Sequence, residues 1–323
     1  MISNEPRLKE VDWTRQRLLL IGSYRANQFP LWRGIDQGLT ELVKLGAGIY
    51  HSNIDETPAE IKKIHDFQPT ATLIVNTDIP KLAKTHRTFL QIPGPRGLWF
   101  NDLRDGPPTF DCFRGYFSTL FMCWSADHLN AQLSRWRDIT GSETAYMPQG
   151  APWNEVVDVP EKRRLFFLGD VQSGTTWHGE RAAFMGGLGV TVINHKDRTR
   201  RMAAEVESGK LYGSARYAVV HSPLAPGYNS IRLYNVLSYG ALALCRRFPG
   251  ADLLFEDKKH LLFFDGVEDA KALCEHYDER PEERKEIMLA GLTRQREKHT
   301  VAHRLANMYW SLITGEKAFW GFL

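Results

Sequence analysis

Apolar and polar positions along the chain fall into two recurring patterns. Short apolar runs that end in glycine or a small polar residue predict strands: RLLLIGS at 17–23, GIYHS at 48–52 and ATLIVNT at 71–77. Between them lie stretches with helical spacing, from about Leu31 to Leu45 and over TPAEIKKIHDF, the latter entered through Thr57 and Pro58. Gly46 and Gly48 are expected to stop the first helix. GLWFND at 97–102 and YFSTLFMCW at 116–124 predict two more strands, separated by the turn-rich RDGPPTF, and ADHLNAQLSRWRDI predicts a helix. YMPQGAP then breaks the pattern.

From Lys162 the same grammar starts again. RRLFFLGD, VTVINH, YAVVHSP, ALALCRRF and HLLFFDG read as strands. HGERAAFMGGLG, RTRRMAAEVESGKLYGSA and SIRLYNVLSYG read as helices, and a helical tail runs through AKALCEHY, PEERKEIMLAGLTRQREKH and VAHRLANMYWSLI. Strands alternating with helices predict parallel sheets. The α/β chain therefore divides into a Rossmann-like unit over 1–150, a second over 151–305, and a last helix over 306–323 that is expected to pack back on the first unit, with a linker near Pro148 to Glu161.

Composition adds bounds. The 323 residues are 43% hydrophobic and 24% charged, the range of an ordinary globular protein and long enough for two cores. No apolar run reaches the ~20 residues of a membrane span, and MISNEPRLKEVDW is too polar for a secretory signal, so a cytoplasmic location is expected. Cys112, Cys123, Cys245 and Cys274 stand far apart, without the close pairs of a zinc or redox site, and read as reduced, buried thiols. A net charge of +3 neither requires nor forbids an acidic partner.

Ligands of parallel sheets bind beyond the carboxyl ends of the strands, which directs attention to Gly169–Thr176, Asn194–Lys196 and His221–Ser230. LFFLGDVQSGTT at 165–176 almost spells a nucleotide hydrolase loop, with Gly169, Gly174 and Thr175 in place. The lysine that would meet the terminal phosphates is missing, so that chemistry is excluded.

The order of motifs supplies another reading. GYNSIRLYNVLSYGALALC followed by the tail from LTRQREKH resembles the second domain of GT-B glycosyltransferases, in particular the group-1-like, spore-maturation-type enzymes. Ser230, Arg232, Tyr234 and Gly240 match that group's S-x-R-x-F-E and following glycine, and the tail offers His299, Thr300 and Arg304. LFFLGD with Arg181, YAVVHSP, LWFND and YMPQGAP stand in the order the family would place them. One position departs: where the family usually has a Glu that accepts from the nucleotide ribose, this chain has Asn235, which can accept and also donate but carries no charge.

The resemblance implies a metal-independent hexosyl- or pentosyltransferase without a cofactor, using a nucleotide sugar, expected to be a UDP-sugar, as co-substrate. Donor binding is then expected from Gly169, Asp170, Ser173, Gly174, Thr175, Arg181, Asn194, His195, Ser222, Asn229, Ser230 and Asn235, with Arg232 as the cation on the diphosphate. The plain alternative for these positions is a structural turn, a surface arginine and, for Ser230, a helix N-cap. Asp102, at the end of GLWFND, is the candidate base for an acceptor hydroxyl if the reaction inverts the anomeric centre, or orients the acceptor if it retains configuration, with Asp105 its neighbour and competitor. Tyr24, Arg25 and Arg33 suit an acceptor site on the first unit. HKDRTRR adds Lys196, Arg198, Arg200 and Arg201, a basic run that is commonly a solvated helix face but also suits a polyanion. Bacteriophage DNA glycosyltransferases, which share the GT-B plan, are a special case with a hydroxylated, extruded base as acceptor. Two alternatives stand beside these: a nucleotide-sugar epimerase of the same plan, and a nucleic-acid-binding or degenerate donor-binding protein.

Overall fold

Leu18, Leu19, Leu20 and Ile21 are all buried, as a strand covered on both faces requires. The computed structural model describes residue 2 and residues 6–22, 30–52, 57–75, 92–100, 114–123, 137–138, 140–169, 171, 176–193, 204–224 and 227–317. Within them, β1 (Arg17–Ile21), β2 (Gly48–Ser52), β3 (Ala71–Val75), β4 (Arg96–Phe100), β5 (Thr119–Met122) and β6 (Glu143–Tyr146) form a sheet ordered β2-β1-β3-β4-β5-β6. Every pairing in it is parallel. The strand β6 was not expected from the sequence. Only Ala145 of its four residues is buried, so ETAY lacks the apolar run that marks its neighbours.

The helix α1 (Pro30–Lys44) ends as its glycine predicts, with one refinement. Gly46 takes φ +105°, its N–H donates to Val43 O (2.9 Å), and the N–H of Ala47 donates to Leu42 O (3.1 Å), which closes the helix by a Schellman motif. Gly48 has no part in stopping it. It opens β2 and donates to Gln16 O at 2.9 Å. The helix α2 (Pro58–Phe67) begins behind Thr57 with Pro58 in its first turn and ends at Gln68 in the left-handed region, φ 52°.

The second sheet, β11-β10-β9-β7-β8, contains β7 (Arg163–Leu168), β8 (Thr191–Ile193), β9 (Ala215–Val220), β10 (Ala243–Arg246) and β11 (Leu262–Phe264), again all parallel. Its two faces bury separate cores. Phe166, Leu168, Ala218 and Val220 belong to one. Leu165, Phe167, Tyr217 and Val219 belong to the other. This period-two partition explains why the runs are continuously apolar rather than alternating. The helices of this half are α3 (Thr176–Leu188), α4 (Ala204–Gly213), α5 (Ile231–Ser238), α6 (Val267–Asp278) and α7 (Pro281–Lys298). Cys245 and Cys274 are buried free thiols, as is Cys123 in the first half. No helix among the described residues is long and apolar enough to cross a membrane.

The last helix, α8 (Val301–Thr314), packs on the first sheet. Leu305, Met308, Tyr309, Trp310 and Leu312 join the core of β1 and β3, and Tyr309 donates its hydroxyl to Leu19 O at 2.8 Å. Close approach to α1 depends on two glycines. A Cβ on Gly34 would lie 2.6 Å from Val301 Cγ2, and one on Gly38 would lie 2.7 Å from Leu305 Cδ1 and 3.0 Å from Ala302 Cα.

The chain crosses between the two sheets at Pro148–Ala151 and returns at Lys298–Val301, and the crossings run side by side. Ala151 N donates to His299 O (3.3 Å) and Val301 N to Ala151 O (3.0 Å). The fully buried Arg304 clasps both. Its Nε donates to Pro148 O (2.8 Å), Nη2 to Gln149 O (2.9 Å) and Nη1 to Lys298 O (2.9 Å). Nη2 also lies 2.9 Å from His299 Nδ1; since guanidinium has no acceptor, that nitrogen accepts and the imidazole is neutral. Burial lowers the pKa of Arg304 to about 10, and burial with the charge of Arg304 holds His299 well below the usual histidine range.

Removing the guanidinium strands several buried carbonyls at once. Arg304→Met is expected to destabilise the protein by about 3–5 kcal/mol in urea denaturation. Wild-type stability in this variant would show that the clasp carries little of the fold.

Candidate functional site

At the carboxyl end of β7 the chain makes its glycine turn, and the reason for the glycine is a side chain from elsewhere. A Cβ on Gly169 would collide with Arg232 Nη2 and lie 3.1 Å from its Cζ. Arg232, in the first turn of α5, is half-buried and donates from Nε to Leu168 O at 2.8 Å. Its guanidinium stands 4.5 Å from the Phe167 ring centroid, and Arg181, from α3, approaches the same ring at 5.3 Å. The turn thus makes room for an arginine that α5 delivers. Burial disfavours the charged form of Arg232, with Tyr212 and Tyr228 acting the other way.

The end of β9 meets the same group. Arg181 is only 2% exposed and donates from Nη2 to the carbonyl of His221 at 2.9 Å. The His221 ring lies 5.1 Å from Phe184, which stacks on Phe264 at 4.7 Å. Arg246 ends β10 and reaches Glu180 Oε2 at 3.7 Å. Burial, followed by the charges of Arg246, Arg181 and Arg232, lowers the His221 pKa to about 3, so the ring is neutral.

Around the start of α5 the polar side chains are arranged for something other than capping. Ser230 occupies the N-cap position, φ −71° and ψ 155°, yet makes no cap hydrogen bond. Its Oγ accepts from Ser222 Oγ at 3.2 Å and from Arg232 Nη1 at 3.5 Å. The plain N-cap reading of Ser230 is therefore corrected: the position is right and the side chain is turned to its neighbours. Asn229 is 2% exposed, and neither Oδ1 nor Nδ2 has a hydrogen-bond partner among the described residues. Asn235 Oδ1, one turn into α5, is likewise buried without one. The first domain reaches this loop through Tyr146, whose hydroxyl donates to Gly227 O at 2.8 Å.

Three guanidinium groups, the positive end of α5 and unsatisfied amides therefore lie at the carboxyl edge of one parallel sheet, a setting that favours a multiply charged anion bearing hydroxyl groups. Among the described residues no three His, Cys, Asp or Glu side chains converge as a metal-holding group.

Of the residues singled out from the sequence, Gly169, Arg181, Ser222, Asn229, Ser230 and Arg232 are brought to this edge, and Asn235 lies on the helix that borders it. Arg33 lies on α1 in the first domain and is half-buried. Asp170, Ser173, Gly174, Thr175, Asn194, His195, Asp102, Asp105, Tyr24 and Arg25 fall outside the described residues, as does the basic run Lys196, Arg198, Arg200 and Arg201. The sequence marks His221 only as the start of the stretch His221–Ser230, without a role of its own, and does not single out Arg246 or Tyr146. The first two carried a signal, since each stands where an apolar run stops; Tyr146 carried none, because its role depends on where Gly227 comes to rest.

Residues 162–309 match a family model described as glycosyl transferase-like. No curated protein sequence matches the chain. Among solved structures, an α-glucosyltransferase in complex with UDP and a 13-mer DNA containing an HMU base is similar at 8% identity, covering 93% of this chain and 99% of that one, TM-score 0.63. A glycosyltransferase from Rickettsia africae covers 94% and 99% at 11% identity, TM-score 0.59. Anabaena HepE in complex with UDP and glucose covers 93% and 100% at 10% identity, TM-score 0.56. At these identities the structural likeness speaks for the fold, and the family model marks the second domain as glycosyl transferase-like. With two parallel-sheet domains and a second half that matches a glycosyl transferase-like model, the chain has the GT-B fold.

Proposed function

We propose that the protein transfers a sugar from a UDP-sugar to a hydroxyl group, without a metal ion, and that a hydroxylated base in DNA is its acceptor. The observation that carries the donor half is the convergence of Arg181, Arg232 and Arg246 with the start of α5 at the carboxyl edge of the second sheet. As the sugar leaves, negative charge grows on the diphosphate, and preorganised guanidinium groups and helix N–H groups stabilise it most where water is excluded. These groups take the place a metal would have, so the chemistry asks for no cofactor. Asn229 and Asn235, with buried and unpartnered amide atoms, are assigned to hydroxyl groups of the donor, Asn235 to the ribose.

UDP in the complexes of the similar structures supports the choice of nucleotide. The DNA bound to one of them supports the acceptor, together with the basic run at 195–201. Asp102 is proposed as the base that takes the acceptor's proton, with Asp105 beside it, and Tyr24, Arg25 and Arg33 as acceptor contacts. An epimerase would interconvert free UDP-sugars with no acceptor present, and a pure nucleic-acid binder would show steeply salt-dependent affinity with no effect of the donor.

Arg232→Ala is expected to weaken UDP binding by about tenfold or more in calorimetry, the range of a lost charge-assisted hydrogen bond. Wild-type affinity would remove Arg232 from the donor site. Gly169→Ala should act in the same direction, because its Cβ displaces that guanidinium; the idea fails if this variant binds UDP as tightly as wild type. Asp102→Asn is expected to leave UDP affinity nearly intact and to lower transfer to DNA containing a hydroxymethylated base by about 10²–10⁴-fold. Unchanged transfer, followed by mass spectrometry of the DNA, would reject Asp102 as base.

A further inference from the structure

His221 sits under three positive charges that come from separate elements: Arg181 from α3, Arg232 from α5 and Arg246 from the end of β10. Glu180, which is largely exposed, pairs with Arg246 at 3.7 Å and is the carboxylate tied to this cluster among the described residues. On its other side the ring meets the apolar Phe184. The residue is 3% exposed, and its Nδ1 is buried with no hydrogen-bond partner among the described residues.

A buried imidazole with an unsatisfied nitrogen is costly unless something later satisfies it. Burial keeps the proton off, and the charges of the surrounding guanidinium groups add to the effect; together they lower the pKa to about 3. A diphosphate held against the same guanidinium groups reverses the local sign. Coulomb attraction in a poorly hydrated site then favours the imidazolium that burial and the arginines otherwise disfavour.

We propose that His221 is a positioning residue of the diphosphate site that takes up a proton from solvent when the diphosphate of the donor binds, and so answers its negative charge. The step is a proton transfer from water or buffer to the imidazole, and no bond of the donor breaks in it. It rests on the assignment of this edge to the donor. The arginines attract the nucleotide at any pH, whereas His221 makes the attraction pH-dependent.

Calorimetric titration of the full chain with UDP-glucose, in two buffers of different ionisation enthalpy, counts the protons taken up on binding. The probe is suitable because its diphosphate is a diester, without the secondary ionisation that a phosphate monoester has near about pH 6. Between about pH 5.5 and 7.5 the wild type is expected to take up protons and to lose affinity by up to about tenfold per unit as pH rises. His221→Asn is expected to bind with no uptake and with affinity constant to within about twofold, a readout that a merely structural role would not move. Binding by the wild type without proton uptake would overturn the proposal, as would the wild-type pH profile in the variant. Should the variant fail to fold, NMR of the wild-type His221 ring at fixed pH decides the matter. A shift towards imidazolium on adding UDP-glucose supports the proposal, and an unmoved ring overturns it. A chain that gives neither heat nor thermal shift with any UDP-sugar in this range overturns the donor assignment itself, a failure distinct from binding without proton uptake.

Discussion

The two domains are joined through one buried cation. Backbone carbonyls of Pro148, Gln149 and Lys298 and a ring nitrogen of His299 receive N–H groups of Arg304. A guanidinium in the interior is stable only when each N–H finds an acceptor, and the two crossing segments supply them because they run together. Lys298 also ends α7, where the helix dipole places partial negative charge, which favours a cation at that point. The clasp holds the crossing segments in one geometry, and that geometry decides how α8 leaves the second domain to cover the first sheet.

What the clasp organises is an edge rather than a pocket of loops. In the second sheet the apolar positions of β7 and β9 divide between two cores, so the strands are rigid up to their carboxyl ends. The residues that follow, Gly169, His221 and Arg246, inherit that rigidity. Preorganisation of this kind is what charge stabilisation requires, since donors that must first reorient give back much of what they offer. The first domain touches the loop that leads into α5 through the hydrogen bond from Tyr146 to Gly227 O.

Gly169 shows how a motif can be legible and its reason hidden. A glycine after an apolar run looks like a phosphate loop, and the missing lysine leaves the position without a purpose in sequence terms. In the structure the purpose is steric, because the space a Cβ would fill belongs to Arg232, 63 residues further along. Arg232 and Ser230 are legible as a motif, His221 is legible only as the end of an apolar run, and Asn229 is distinguished from an ordinary loop residue by burial without a partner among the described residues. Strand β6 escaped notice because an edge strand with one buried residue carries no period.

The alternation of strands and helices, the parallel sheets and the absence of a lysine in the glycine turn were written in local sequence, because hydrophobic period and turn chemistry act over a few residues. Gly34 and Gly38 as the seat of α8, the clasp of Arg304, and the gathering of Arg181, Arg232 and Arg246 on His221 were decided only by tertiary structure. Each joins residues from separate elements, and burial, which sets both the steric fit and the strength of charge, exists only once those elements have packed.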